Sequence, residues 1–525
     1  MKTATKILIC LLALCMLLPC AVSCNQKKKK PASNQNKKPT SSVVTTVDPD
    51  ADIEKPDIID MDGYTYKAYV RDFSGDTLDE QLASGNNLYR CIDFWIDEAN
   101  SEQDVISFAV YTRNNRIEAD YNCKIRQFAS NGNQIDQLRL FYTNGDTYDL
   151  AILSAKPAAQ AATQNLLLDL NDTTYTNLSH PSFDQNSIHE LSIEDNLYFI
   201  SGDMNISTLE VAGLSLVNME FYEDMKDSIV NDLFDGNQLY SNIYNLVTAK
   251  KWTMDVLLKI ATQANIDVDK NDGDDLSVID KGDTMGYHQY FYSTLWYFYA
   301  SGGRITTKND DGIPVLTIHE EKNQNLANYI YDHFNHVVST PWIPRAQSSI
   351  LDQNFLTGEL LFMDCSLFEI RTEIYPFAEF EYGILPCPVF EEGQDYNSVI
   401  YFNNWAHLWT LPNMLENTEY AERMLEIMAV YSSLSGSTMD AYYERTIYLN
   451  AARDNGSREV LDVVRQSLVY DIALMYDWGG LETMLWELSY ATANPYASAV
   501  NGIEASVNPK IEDTLEQLRN PLGDS

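Results

Sequence analysis

Basic residues are scarce. Thirty-six Lys and Arg stand against 76 Asp and Glu in a chain of 525 residues, a formal net charge of −40. A surface of that sign repels phosphate backbones, so no nucleic-acid partner is expected. Cysteine is scarce in the body as well: Cys10, Cys15, Cys20 and Cys24 crowd into the start, and only Cys91, Cys123, Cys365 and Cys387 follow. No CxxC pair occurs, which removes the usual support for a zinc ribbon or a thioredoxin-like redox site. The four body cysteines allow three pairings, and the sequence does not choose among them. Walker A, GxSxG and HExxH patterns are absent, and so are repeats of about 20 to 50 residues. After the leader no apolar run is long enough to cross a bilayer.

What remains is an ordinary globular composition, 45% hydrophobic and 21% charged, in a chain about three times the typical domain length of ~150 residues. Lys2 and Lys6 precede an apolar run from Ile7 to Pro19, the layout of an export signal. It ends in Ala21-Val22-Ser23-Cys24, which resembles a bacterial lipobox, so Cys24 is the expected lipidation site after removal of residues 1–23. Residues 24–62 carry Lys27 to Lys30, Lys37, Lys38 and four prolines with few large apolar side chains. Such a stretch buries too little surface to offset its ordering entropy and is read as a tether. Its lysines would add attraction to anionic headgroups beside the lipid.

In the body, the alternating YTYKAYVR of residues 64–71 predicts a strand. Helical spacing follows over about 102–121, a second strand over 123–128, a helix over 134–142, and an apolar run over 148–153 of the kind a buried parallel strand requires. This alternation predicts an α/β sheet. From about 220 to 336 the texture is helical, with aromatics dense between Tyr287 and Tyr299. A strand is predicted over 382–385, stopped by Pro386-Cys387-Pro388, and a helix through Met424 to Leu434.

Several segments resemble motifs of the extracellular solute-binding proteins of bacterial ABC importers, in the carbohydrate-binding family that includes the maltose-binding protein. Gly145 to Ile152 resembles the entry to the third strand, and Asn165 to Leu170 the "G-L-L-x-D-L" that follows, with Asn in place of Gly. Asp195 to Ile200 resembles the first crossing, Leu214 to Tyr222 the "L-x-Y-N-K-x-x-F", Phe355 to Phe362 the "F-x-x-G-x-x-A-M", and Tyr382 to Pro388 the "Y-G-x-x-x-x-P". The resemblance spans most of residues 63–440. It implies a two-lobed periplasmic-binding-protein-like fold of type II, each lobe a mixed, mostly parallel sheet flanked by helices, with a hinge of crossing segments. Lobe 1 is expected at 63–203 plus 386–432 and lobe 2 at 204–385 plus 433–525. It implies no enzyme and no cofactor. The expected partners are a polar solute, an oligosaccharide above all, ABC permease subunits, and the membrane through the lipid on an extracytoplasmic monomer. A surface glycan-degrading enzyme and an adhesive or sensory lipoprotein are the alternatives.

Sugar sites combine aromatic platforms with hydrogen-bonding side chains. Counting from Gly302-Gly303 places Tyr292 where family members carry a stacking tyrosine, with Trp296 one helical turn on. Phe368 falls near a stacking tryptophan position. Asn404 and Trp405 follow an expected interlobe strand, Ser154 ends the buried strand where open α/β sheets bind ligands, and Asp203 lies past the first crossing. These seven are the candidate ligand residues. No metal is expected: the acidic stretch 267–275 fails the EF-hand pattern at its sixth and twelfth positions, and His333 and His336 lack companion ligands.

Overall fold

The alternating segment is a strand over its full predicted length, β1 (Tyr64–Arg71). The computed structural model describes residues 60–71, 93–130, 132–146, 148–172, 178–266, 283–290, 292–338, 345–346, 353–401, 406–413, 428, 430–431, 434–451 and 454–519. Cys24, Cys91, Asn404, Trp405, the 267–275 stretch and most of the predicted 424–434 helix lie outside them. Helix α1 (Val105–Asp120) begins where the Asp104 carboxylate accepts from the Ser107 amide. Strand β2 (Cys123–Ser130) follows, then α2 (Gln134–Asn144), capped by Asn133 and ended by Gly145 at φ 70°, a left-handed turn that favours glycine. The apolar run forms β3 (Leu150–Ser154), buried throughout, and α3 (Ala155–Thr163) starts directly from its end.

These strands form the first sheet, with β1 at the centre, parallel to both β2 and β3. The remaining strands are β4 (Gly213–Asn218), β5 (Met285–Tyr290), β6 (Thr306–Lys308), β7 (Pro314–Leu316), β8 (Arg345–Ala346), β9 (Leu360–Ser366), β10 (Tyr382–Pro386), β11 (Ser398–Val399), β12 (His407–Thr410) and β13 (Leu468–Val469). The antiparallel β12 completes the first sheet in the order β12-β3-β1-β2. The second sheet runs β10-β4-β9-β5-β8, with β4 antiparallel to both neighbours and β5 parallel to β9. The expectation of two mixed α/β sheets thus holds, although β5 stands in a stretch whose texture predicts helix.

The second sheet is closely built. A Cβ on Gly286 would meet the Ala261 carbonyl oxygen at 1.8 Å, so helix Met254–Ala264 packs against β5 at a distance only glycine permits. Asp364 of β9 is fully buried, yet accepts hydrogen bonds from Ser215 at 2.6 Å, Tyr297 at 2.7 Å and Tyr287. Burial raises its pKa against the pull of those donors. Cys123, Cys365 and Cys387 are buried.

Between the sheets the chain crosses as a ribbon. Ile200 pairs with Trp409 of the first sheet, Ala212, just before β4, pairs with Ile400, and β11 runs parallel to β13. Asn205 and Thr208 both donate to the His407 carbonyl, tying the first crossing to the edge of β12. Among the described residues no helix is long and apolar enough to cross a membrane.

Candidate functional site

Parallel strands end together, and in open α/β sheets the crevice beyond their carboxyl ends is the usual place for a ligand. In the first sheet that edge carries Arg71, Ser130, Ser154 and, from the antiparallel partner, His407. Ser154 is fully buried and held in place: its hydroxyl accepts from Arg71 Nη1 at 3.1 Å and Gln134 Nε2 at 3.1 Å, while its amide donates to Gln134 Oε1 at 2.9 Å. His407 opposite is also buried, and burial pulls its pKa down to about 3, so the ring is neutral.

Lys156 stands one residue into α3, on the same edge. Its ammonium lies 2.7 Å from Glu482 Oε2 and 3.3 Å from Asp477 Oδ2. Burial works to lower the Lys156 pKa, and the two carboxylates overcome it and hold the group above its ordinary value. Glu482 lies in helix Leu481–Glu487, and its other oxygen accepts from the Tyr401 hydroxyl at 2.5 Å. Burial, then the charge of Glu482, keeps that hydroxyl protonated.

The second sheet contributes aromatics. Tyr290 ends β5 and stacks on Trp296 with ring centroids 5.0 Å apart and planes 3° from parallel. Tyr292 heads helix Ser293–Ala300, with its ring 4.3 Å from Tyr401, 5.7 Å from Tyr290 and 6.2 Å from Trp486. Trp486 in turn lies 5.8 Å from Tyr490. Tyr290, Tyr292, Trp486 and Tyr490 are half-buried, presenting part of their surface. Flat apolar rings next to a cation, a carboxylate and a hydroxyl can stack on one face of a polyol and hydrogen-bond its rim.

Of the candidates from sequence, Tyr292 lies at the centre of this group and Ser154 lies under its other wall, two residues before Lys156. Trp296 is 3% exposed and acts as the base on which Tyr290 rests; a Cβ on Gly213 would meet its ring at 2.3 Å. Phe368, half-buried, follows the end of β9 with its amide on the Glu210 carbonyl at 3.1 Å and the Arg371 guanidinium 5.7 Å from its ring. Arg371 also pairs with Glu210 at 2.5 Å. Asp203 is not brought to the aromatic group: it pairs with Arg465 at 2.6 Å and lines a separate cavity with Asp184, Leu468 and Tyr470. Burial raises its pKa, with Arg465 opposing.

Lys156, Tyr401, Glu482 and Trp486 were not anticipated as site residues. Lys156 had a legible signal, being two residues beyond the strand end already singled out. Trp486 had a weaker one, since the core positions Leu481, Met484, Leu485 and Leu488 leave it off the buried face of its helix. The aromatic and glycine-rich Tyr476 to Gly480 segment packs inward: Trp478 is buried, stacks on Tyr476 at 5.1 Å and donates to Thr514 at 3.0 Å. His333 stacks on Tyr329 at 4.1 Å, and His336 Nδ1 lies 2.7 Å from the Ser489 carbonyl.

No protein-family model matches this sequence, and no curated protein matches it. Solved structures do match. A cyclo/maltodextrin-binding protein complexed with maltotetraose superposes with a TM-score of 0.50 at 13% identity, covering 88% of this chain and 98% of that one. An extracellular solute-binding protein from Staphylococcus aureus in complex with maltose gives a TM-score of 0.51 at 11% identity, covering 85% and 98%. At such identities the likeness is one of architecture, and it agrees with the two sheets and their crossings: the chain has the two-lobed fold of these solute-binding proteins.

Proposed function

We propose that this protein is the lipid-anchored substrate-binding component of an ABC importer, capturing an oligosaccharide between two lobes and delivering it to a permease without chemical change. In this reading the lobes are 63–203 plus 386–432 and 204–385 plus 433–525, and acylated Cys24 holds the body outside the cytoplasm. The observation that carries it is the meeting of Lys156, from the helix that leaves the first sheet at Ser154, with Glu482 at 2.7 Å, beside the rings of Tyr292, Tyr401 and Trp486. That arrangement offers a cation, acceptors and stacking faces to one guest, and both maltose-type ligands in the similar structures are polyols of this kind. Contacts from both lobes favour a closed state, which a permease distinguishes from the open one.

The test is a thermal-shift screen of the full-length protein against maltose, maltotetraose and a panel of neutral, acidic and amino sugars. A ligand that binds only the folded state adds RT ln(1 + [L]/Kd), about 2.7 kcal/mol at a hundredfold excess over Kd. A rise in Tm with a saccharide supports the reading. Turnover of chromogenic glycosides would replace it with hydrolysis.

A further inference from the structure

We propose that Asp471 is the positioning residue of the site: its buried carboxylate joins the helix headed by Tyr292 to the segment that carries Asp477, Glu482 and Trp486. The proposal rests on the binding function above for what the positioned groups serve. Asp471 itself bonds to none of them through its side chain, and its part is to fix where they stand.

Asp471 is 3% exposed, and both oxygens of its carboxylate are engaged. Oδ2 accepts from the Tyr299 hydroxyl at 2.9 Å and the Ile305 amide at 2.9 Å, while Oδ1 accepts from the Thr306 hydroxyl at 2.9 Å and the Ala473 amide at 3.0 Å. A carboxylate taken out of water is costly unless such donors meet it. Burial, then the charge of Asp471, keeps the Tyr299 hydroxyl protonated, so it donates. The four donors come from three places: Tyr299 belongs to helix Ser293–Ala300, Ile305 and Thr306 lead into β6, and Ala473 belongs to helix Ile472–Tyr476.

That last helix has five residues, too few to hold a helix on their own. Asp471 caps its start through the Ala473 amide, and the Asp477 amide closes its end on the Ala473 carbonyl at 3.0 Å. Asp477 then takes φ 50°, a left-handed conformation open to few residues other than glycine, asparagine and aspartate, and its carboxylate lies 3.3 Å from the Lys156 ammonium. Glu482 and Trp486 follow in helix Leu481–Glu487, whose Leu485 carbonyl accepts from the Thr294 hydroxyl at 2.9 Å. The aromatic helix is therefore pinned to the charged segment twice, by Thr294 near its start and by Tyr299 near its end. Removing the Asp471 carboxylate frees the Tyr299 end and the cap of helix Ile472–Tyr476 together. Asp477 and Glu482 then shift, while Lys156 stays on α3.

The experiment is acetylation of the ligand-free full-length protein with acetic anhydride across an alkaline pH series, with Lys156 read by peptide mass spectrometry. The proteins are wild type, Asp471→Asn, a Tyr299→Phe, Thr306→Val double variant that keeps the Asp471 charge, and Ile260→Val. Against burial, Glu482 and Asp477 hold the Lys156 ammonium above its ordinary pKa, so displaced carboxylates should move its labelling profile to lower pH. Labelling on the alkaline limb should quicken on the order of threefold in Asp471→Asn, with the same sign in the double variant. Ile260→Val, a core truncation in helix Met254–Ala264, which supplies none of the four donors, should label as wild type. An unchanged profile in the folded double variant overturns the proposal, because a shift in Asp471→Asn alone is the loss of a charge; should the double variant not fold, Tyr299→Phe alone decides on the same criterion. An Ile260→Val profile displaced as far also overturns it, since the labelling would then follow stability. If maltotetraose binds the wild type, folded Asp471→Asn should bind it at least about threefold more weakly, and undiminished affinity overturns the proposal. The labelling needs no ligand, so a protein that binds no saccharide fails the functional reading and leaves the positioning role to be decided at Lys156.

Discussion

Lys156 and Glu482, far apart in the chain, meet at 2.7 Å, and the same carboxylate accepts from Tyr401 at 2.5 Å. One acid therefore ties the edge of the first sheet to the end of a crossing strand. Glu482→Gln should weaken this junction by on the order of 1 kcal/mol, a figure kept small because the Lys156 side chain is 36% exposed and solvent screens the pair. Denaturant titration of both proteins at pH 7 measures it. An unchanged midpoint would mean that Asp477 alone satisfies Lys156.

Gly213 begins β4 against the face of Trp296, with room for no Cβ. Gly213→Ala should cost about 1–3 kcal/mol by overpacking. It should also disturb Tyr290 and Tyr292 through the displaced indole. The check is Tm together with saccharide affinity; loss of both is expected, and a stable variant with unaltered affinity would detach Trp296 from the site.

Asp93 is buried, and burial pushes its carboxyl up to about 6, with the Ser207 amide at 3.0 Å partly offsetting this. An acid with a raised folded-state pKa costs stability above that pKa, and the cost disappears as pH falls towards its unfolded value near 4. Relative to Asp93→Asn, wild type should therefore lose on the order of 3 kcal/mol between pH 4 and pH 7. Unfolding free energies across that window test the sign. Parallel curves would place the proton elsewhere.

His407 has the opposite dependence. Burial lowers its pKa to about 3, so the unfolded chain takes up a proton first and stability falls as pH drops from about 6.5 towards 3. His407→Gln should flatten that acid limb whatever it does to stability at neutral pH. The slope of unfolding free energy against pH is the measurement, and an unchanged slope would contradict the assignment.

Cys24→Ala should release the protein from the membrane fraction, since the lipid is its expected anchor. Incorporation of labelled palmitate into wild type and not the variant reads this directly. Labelling in both would move the modification elsewhere.

Much of the first sheet was legible because local pattern and tertiary role agree there. β1 matches its predicted bounds, β2 and α2 extend two residues beyond theirs, and the predicted 148–153 strand runs over 150–154. β5 was hidden for a physical reason: five of the six residues of MGYHQY are buried, so no alternation separates it from the helical texture around it. Pro386 was expected to stop the ladder, but it closes β10 opposite Leu214, an end position where the missing amide is tolerated. At the site the aromatic side was foreseen at Tyr292. The charged side was not, because a pair such as Lys156 and Glu482 is a product of folding and leaves no spacing in the sequence.

The central claim is that the group formed by Lys156, Tyr292, Glu482 and Trp486 holds a saccharide. Calorimetric titration of the full-length protein with the strongest saccharide from the thermal screen, beside a Tyr292→Ala, Trp486→Ala double variant, tests it most directly. The account predicts one site per chain and at least about a fivefold loss of affinity when the two rings go, as stacking worth about 0.5–1.5 kcal/mol per pair implies. Absence of binding to every sugar, or undiminished affinity in a folded double variant, would contradict it.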